Sequence, residues 1–421
     1  MVFVRGAVPG DRVRARIGKS KRSWAEGDLV EVLEPSADRI EPEAPHPGAP
    51  WQVLPYERQL EEKQTQVREA LERIGGFEDP PVEPIVPAVQ QVRYRNKLEY
   101  SFGEDHHGEL VLGFHRPGRW NVIDDVERDI LASERVDEVR EAVKAWCREE
   151  GLTAWDRESQ TGVLRNLVVR EGRRTGQVQA RVVTSPGSAF RVDELAAATP
   201  ADSFLWTRAE GVAETTRGGD TKAVKGPAFL EEELSGLRFR ISPDAFFQTN
   251  TEMAEVLYGA AAELTGLTGR EKVLDLFCGI GTIALVLALD SAEVCGVELI
   301  EEAVADAIQN AKLNGVDNAR FFAGDVRLVM RELLEQSGSP DVVVVDPPRA
   351  GLSQKVVRRI IEADAQRIVY VSCNPTTLAP NARQLVDDGG YELKTVRPVE
   401  MFPHTPHIEC VALLERPERP A

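Results

Sequence analysis

Five cysteines are spread along the 421 residues, at positions 147, 278, 295, 373 and 410, with no Cys-x-x-Cys pair among them. That spacing argues against a disulfide framework and against a zinc site, and it leaves thiols that stay reduced. A lone cysteine is usually a small buried hydrophobe. Cys147, Cys295 and Cys410 are read that way, and Cys278 fits as a turn residue. Cys373 differs because it stands in Val-Ser-Cys-Asn-Pro (371–375), directly after a strand pattern, where a turn rather than strand packing sets its direction. A thiolate there suits covalent catalysis, which needs a base as partner. Glu409, in HTPHIECVALLE at the start of the last strand pattern, is the best candidate base. Its neighbours Ile408, Cys410 and Val411 predict partial burial, which raises a carboxyl pKa towards a value useful for proton abstraction. His404 and His407 are rival bases by type and are read as loop residues lining the same site.

A second group of residues could hold a cofactor. In LDLFCGIGTIA (274–284) a strand ends at Asp275 to Phe277, and Gly279 and Gly281 turn the chain into a helix. Glycines there let the backbone approach a ligand, and the helix start offers free N–H groups. Alone the pattern is weak, since Gly279-x-Gly281-x-x-Ala284 also fits a dinucleotide fingerprint. Glu298 ends the next strand pattern, where a carboxylate can hold ribose hydroxyls. Asp325 ends the third, placed for an adenine amino group, and Asp346 ends the fourth, in Asp-Pro-Pro-Arg. Strand-end acids also cap helices, but four in register favour a ligand-binding rim. The pattern favours S-adenosylmethionine over a nicotinamide dinucleotide. Arg349 after Asp-Pro-Pro, in place of an aromatic residue, disfavours an exocyclic amine as methyl acceptor.

A methyl donor, one cysteine and one base suit methylation at carbon 5 of uracil. That carbon is too weak a nucleophile unaided; thiolate addition at carbon 6 gives it carbanion character, and a base must later remove its proton so that the thiol can leave. A cytosine-C5 methyltransferase, a binding protein that has lost catalysis and a nicotinamide-dependent oxidoreductase are the rivals. The last leaves Cys373 and the basic N-terminus unexplained.

The elements that must position these residues follow from periodicity. After about Leu237, short apolar strands alternate with amphipathic helices, which predicts a parallel sheet covered on both faces. Residues 56–74 have helical periodicity, with Leu60, Val67, Leu71 and Ile74 on one face. The expected organisation is a strand-rich unit over 1–41, a proline-rich linker over 42–55, a central α+β domain over 56–236 and a catalytic α/β domain over 237–421. Six prolines between Pro35 and Pro55 mark the linker.

The net charge of −18 argues against a protein that coats nucleic acid non-specifically. Two local stretches run the other way. Residues 1–24 carry Arg5, Arg12, Arg14, Arg16, Lys19, Lys21 and Arg22 against Asp11 alone; residues 165–181 carry Arg165, Arg170, Arg173, Arg174 and Arg181 against Glu171. Either could contact phosphates or be a solvated strand face. No apolar run approaches the roughly 20 residues that span a membrane, and no signal-peptide pattern opens the chain, so a cytoplasmic protein, expected to be a monomer, is the default.

Seven segments resemble the family of uridine-C5 RNA methyltransferases that act on bacterial 23S ribosomal RNA and tRNA. They are WQVLPYERQLEEK (51–63), YRNKLEYSFG (94–103), DAFFQTN (244–250), DLFCGIGT (275–282), VDPPRAGL (345–352), VSCNP (371–375) and PHTPHIECVALL (403–414). GAVPGDRV (6–13) and EPSADRIEP (34–42) resemble the TRAM domain, an RNA-binding β-barrel of the ribosomal branch. The resemblance implies a Rossmann-like, S-adenosylmethionine-dependent catalytic domain with Cys373 as nucleophile and Glu409 as base. It implies that Gln248, Phe277, Thr282, Glu298, Asp325 and Asp346 surround the cofactor and a flipped base; Thr282 stands where relatives often have Asn. It also implies an RNA partner, with ribosomal RNA favoured over tRNA. Ribosomal relatives carry a four-cysteine iron–sulfur cluster, but the matching positions here are Ile40, His46, Ala49 and Asp129, so no cluster is expected. The TRAM resemblance begins partway through the barrel: either the barrel is incomplete or the true start lies upstream.

Overall fold

The computed structural model describes residues 2–417 apart from 23, 188–189 and 212–214. Three strands form the N-terminal unit: β1 (Val2–Arg5), β2 (Arg12–Ser20) and β3 (Ala25–Glu34), in the order β1-β3-β2. Among the described residues this is an open sheet, with Val2, Phe3, Ile17 and Val30 each more than half exposed. Its basic side chains are spread among acids: Arg5 pairs with Asp28, Arg12 with Glu34 and Arg14 with Glu31.

The segment over 42–55, read as a linker, is packed. It ends in a 3-10 turn, Pro50–Val53, and buries His46, Ala49 and Gln52. His46 Nε2 lies 3.0 Å from Asp129 Oδ1, and Tyr100 donates to Asp129 Oδ2 at 2.9 Å, so the segment is tied to the central sheet.

Helix α1 (Tyr56–Arg73) follows. The central sheet contains β4 (Lys97–Glu104), β5 (Leu110–Arg116), β6 (Arg119–Asp125), β7 (Leu164–Glu171), β8 (Val178–Thr184), β9 (Ser203–Arg208) and β10 (Asp220–Lys225). They run in the order β10-β9-β8-β7-β4-β5-β6. Helices α2 (Glu134–Glu149) and α3 (Val192–Ala198) cover one face through Val139, Val143 and Leu195, packed on Tyr100, Leu112 and Leu167. Ser133 caps α2 by accepting from Val136 N–H.

The opposite face overturns one expectation. Arg165, Arg170 and Arg181 are buried rather than presented to solvent. Arg170 donates to the Ala245 carbonyl at 2.6 Å, and Arg181 reaches Asp244 at 2.6 Å. Arg165 donates to the Gly211 carbonyl at 2.7 Å. Arg173 and Arg174 pair with Glu252 and Glu255. The basic run therefore joins the central sheet to neighbouring segments, because the chain itself covers these side chains and supplies their partners.

The catalytic unit is built on β13 (Lys272–Leu276), β14 (Glu293–Glu298), β15 (Ala319–Ala323), β16 (Val342–Val345), β17 (Arg367–Ser372), β18 (Glu392–Val399) and β19 (Glu409–Glu415), preceded by the hairpin β11 (Leu230–Leu234) and β12 (Leu237–Ile241). The sheet order is β15-β14-β13-β16-β17-β19-β18; the first five strands are parallel and β19 is antiparallel to both neighbours. Buried on both faces, the parallel strands read as near-continuous apolar runs, such as VVVV in β16. Helices α4 (Thr251–Thr265), α5 (Thr282–Ala288), α6 (Glu301–Leu313), α7 (Val326–Ser337), α8 (Gln354–Glu362) and α9 (Pro375–Gly389) cover the sheet.

Two boundaries move. The hairpin buries Leu234, Leu237, Phe239 and Ile241 against α4 and α5, so the catalytic unit begins before residue 237. Helix α1, placed with the central domain by its position in the chain, packs on the catalytic unit instead: Val67 and Leu71 share a core with Leu378, Ala382 and Val396. The apolar face of α1 was legible; its partner, some 300 residues away, was not.

Candidate functional site

Strand β17 ends at Ser372, and Cys373 begins the turn into α9. The turn is fixed by short polar side chains, as the sequence Ser-Cys-Asn-Pro favours. Ser372 Oγ accepts from Asn374 N–H at 3.2 Å, and Asn374 Oδ1 caps α9 by accepting from Thr376 N–H at 3.1 Å. Asn374 Nδ2 donates to the Arg349 carbonyl at 3.1 Å, joining this turn to the Asp-Pro-Pro-Arg turn after β16. Gly351 is needed there, since a Cβ would stand 2.8 Å from both Asn381 and Thr377 at a φ of +74°.

Strand register brings the two expected catalytic residues together. In the antiparallel pair of β17 and β19, Ser372 faces Cys410, so the next step of the ladder sets Cys373 opposite Glu409. Glu409 is also paired with Val399 of β18 and is almost fully buried. Burial, and then the nearby Asp346, push the Glu409 carboxyl well above the usual range. Burial pushes the Cys373 thiol up to about 11, with Glu409 and Asp346 adding to the rise and Arg349 opposing it. Asp346, just past the end of β16, is pushed up to about 7 by burial. The site thus holds two carboxyls and a thiol that favour their protonated forms, with the Arg349 guanidinium beside them.

The rival bases separate by geometry. His407 Nδ1 lies 3.4 Å from Arg349, and burial together with that cation lowers its pKa to about 4, so the ring is neutral near pH 7. His404 is turned the other way, with Nδ1 3.1 Å from Gln59 Nε2, and belongs to the scaffold of the loop. Tyr258, beneath the rim on α4, lies 3.4 Å from Thr282 Oγ1 and is influenced by Asp346 and Glu409; no sequence pattern marked it out.

The carboxyl edge of the parallel strands carries Phe277, Gly279, Gly281, Thr282, Glu298, Asp325 and Asp346 among the expected cofactor residues. Phe277 takes a φ of +66°, a left-handed conformation that a bulky residue rarely adopts and that an enzyme tolerates where function needs it. Gly279 has open space where a Cβ would stand, whereas a Cβ on Gly281 would meet Phe321 at 3.0 Å. Glu298 accepts from Gly279 N–H at 3.2 Å and Ile300 N–H at 3.0 Å, fixing its carboxylate at the rim. Asp275 is fully buried, and burial, followed by the nearby Asp346, pushes its carboxyl well above the usual range while the Ala284 N–H opposes the rise. Asp325 does take the helix-capping role: it caps α7 through Arg327 N–H at 2.9 Å and pairs with the Arg327 side chain, which first among causes lowers its pKa to about 2. Gln248 is buried in the DAFFQTN loop, its carbonyl accepting from Asn96 Nδ2 at 2.9 Å. Thr282 is buried at the start of α5 with its hydroxyl near Tyr258.

An acid-lined rim around a glycine turn with open space suits a ligand bearing hydroxyls and positive charge, as S-adenosylmethionine does with its ribose, ammonium and sulfonium. A separate cavity of about 290 Å³ lies in the central domain, lined by Trp155, Arg157, His115 and Glu104 among others, and includes none of these rim residues. Among the described residues no helix is long and apolar enough to cross a membrane.

The fold and rim define a Rossmann-like methyltransferase. Residues 212–417 match the sequence profile of the tRNA (uracil-5-)-methyltransferase family. The chain is 40% identical to an uncharacterised RNA methyltransferase of Gloeobacter violaceus, over 99% of this chain and 92% of the relative. It is 38% identical to another from Halalkalibacterium halodurans, over 98% and 92%. The structure of Pyrococcus abyssi tRNA (uracil-54, C5)-methyltransferase, in complex with S-adenosyl-L-homocysteine, superposes with a TM-score of 0.80 at 30% identity, covering 98% of this chain and 95% of that one. The chain therefore belongs to the tRNA (uracil-5-)-methyltransferase family of S-adenosylmethionine-dependent RNA methyltransferases.

Proposed function

We propose that the protein methylates carbon 5 of a uridine in RNA, with Cys373 as nucleophile and Glu409 as base. The observation that carries this reading is the register that sets Cys373 opposite Glu409, beside Asp346 and Arg349. The Cys373 thiolate adds to carbon 6, and the electron pair of the C5–C6 double bond moves toward O4, leaving carbon 5 nucleophilic. S-adenosylmethionine would be held by Gln248, Phe277, Gly279, Gly281, Thr282, Glu298 and Asp325 around the rim; carbon 5 would take its methyl group, with S-adenosyl-L-homocysteine as the leaving group. Asp346, whose carboxyl burial pushes up to about 7, can in its protonated form donate a hydrogen bond to the uracil ring, and Arg349 stabilises negative charge as it develops. Glu409 then removes the carbon 5 proton, the double bond re-forms, and Cys373 leaves as thiolate. The uridine must leave its stack to reach the rim, which favours a loop or an opened region of RNA.

Ribosomal RNA is the favoured substrate, on the resemblance of the N-terminal sheet to an RNA-binding barrel. A tRNA substrate is the second reading, favoured by the likeness to the Pyrococcus abyssi tRNA enzyme. Transfer of label from S-adenosylmethionine to 23S ribosomal RNA and to tRNA, followed by nucleoside analysis, separates the two. Label appearing as 5-methyluridine in ribosomal RNA alone supports the first; 5-methylcytidine, or no transfer to either RNA, contradicts the reaction.

A further inference from the structure

The loop over 400–408, which delivers Glu409 to the start of β19, is held by side chains outside the catalytic sheet. Lys63 Nζ of α1 lies 2.6 Å from each carboxylate oxygen of Glu400, and both side chains are fully buried. The same ammonium donates to the Phe402 carbonyl at 3.2 Å, and Phe402 N–H donates back to Glu400 at 3.1 Å. One turn earlier on α1, Gln59 Oε1 accepts from His404 N–H at 2.9 Å. Trp51 N–H donates to the His404 carbonyl at 2.8 Å, and Tyr94 OH to the Pro403 carbonyl at 2.9 Å.

Such a set is costly for a loop that only joins two strands. Two ions are removed from water, and His404 adopts a φ of +63°, outside the usual range for a residue with a side chain. A buried ion pair is often replaceable by apolar residues at no loss of stability, so stability alone is a weak reason for it. The spacing offers another. Lys63 and Gln59 lie four residues apart, on one face of a helix, and grip the loop at 402 and 404. Beyond those two points the chain runs through His407 and into Glu409.

We infer that Lys63 and Gln59 are positioning residues for proton abstraction: α1, packed on the catalytic unit, fixes the path of the base-carrying loop and so the placement of Glu409 against the Cys373 adduct. This rests on Glu409 being the base. The pair acts on the step after methyl transfer, leaving substrate binding and thiolate addition largely alone.

The test measures turnover, KM for RNA, and the fraction of enzyme trapped as a covalent protein–RNA adduct on natural uridine RNA. The variants are Gln59→Leu, Lys63→Met and the double replacement Lys63→Met/Glu400→Leu, with Glu409→Gln as reference. The double variant removes both buried charges, so it is expected to keep its fold. The expected result is kcat lowered about 10- to 100-fold, the size of effect that misplacing a catalytic group produces. KM should change little, and adduct should accumulate in all three variants as in Glu409→Gln. A folded double variant with wild-type turnover and no trapped adduct overturns the inference and makes the pair structural only. If Glu409→Gln itself turns over without trapping, the base assignment fails and this inference falls with it. Trapping in Glu409→Gln alone overturns the positioning role and leaves the base standing.

Discussion

The N-terminal sheet and the rim of the catalytic sheet both carry charge, and they treat it in opposite ways. In the N-terminal sheet, Arg5–Asp28, Arg12–Glu34 and Arg14–Glu31 pair across strands with every side chain at least half exposed. At the rim, Asp275 and Glu409 are buried and Asp346 is partly buried beside them, and the effect of burial on each is to favour the protonated form. Exposed pairs contribute little to stability, because water already solvates both partners. Buried, unpaired carboxyls reduce it, and they persist where a shifted proton affinity serves chemistry. Charge that is visible in the sequence as a basic run is thus the less informative kind; isolated acids at the ends of apolar strands are the more informative.

The largest expected effect lies at the rim. Cys373→Ala should abolish methyl transfer from labelled S-adenosylmethionine while leaving cofactor binding by calorimetry intact. Glu409→Gln should still form methylated RNA but hold it as a covalent complex that denaturing electrophoresis detects; free product at the normal rate would reassign the base. Titration of the thiol gives a third effect. Because the Cys373 pKa is raised to about 11, the rate of adduct formation with 5-fluorouridine RNA should climb about tenfold per pH unit between pH 7 and pH 9. A flat profile would show that bound RNA already supplies the thiolate.

Stability provides a smaller and slower test. Asp346 binds its proton up to about pH 7 when folded and to about pH 4 when unfolded. The folded state therefore holds more protons in that window, and stability is full below it and falls as pH rises through it. The loss attributable to Asp346 is at most about 4 kcal/mol, and Asp346→Asn should flatten the fall in Tm between pH 4 and pH 7. The smallest effect belongs to the other region: Arg12→Ala should change stability by no more than about 0.5 kcal/mol in denaturant unfolding.

Much of this contrast was legible from the chain. The alternation of apolar strands and helices after residue 237 and the rim positions of Glu298 and Asp346 follow from periodicity and turn residues. What sequence could not show was pairing at a distance. Nothing local says that Ser372 faces Cys410, that α1 packs on α9, or that Lys63 meets Glu400 across more than 300 residues. The arginines of 165–181 misled for a related reason. Their charge was clear, but which of them the chain would cover depended on Gly211, Asp244 and Ala245, and charge alone cannot say. Helix α4 and its Tyr258 carry no catalytic motif, so nothing in the sequence marked Tyr258 as a neighbour of the rim.

The central claim is that Cys373, set opposite Glu409 by the ladder between β17 and β19, is the atom that attacks the ring. Its most direct test is peptide mapping by mass spectrometry of the covalent complex formed with 5-fluorouridine RNA and S-adenosylmethionine. The account predicts one adduct, on the peptide containing Cys373 and carrying the added methyl group. An adduct on Cys278 or Cys410, or carbon 5 methylation with no adduct at any cysteine, would contradict it.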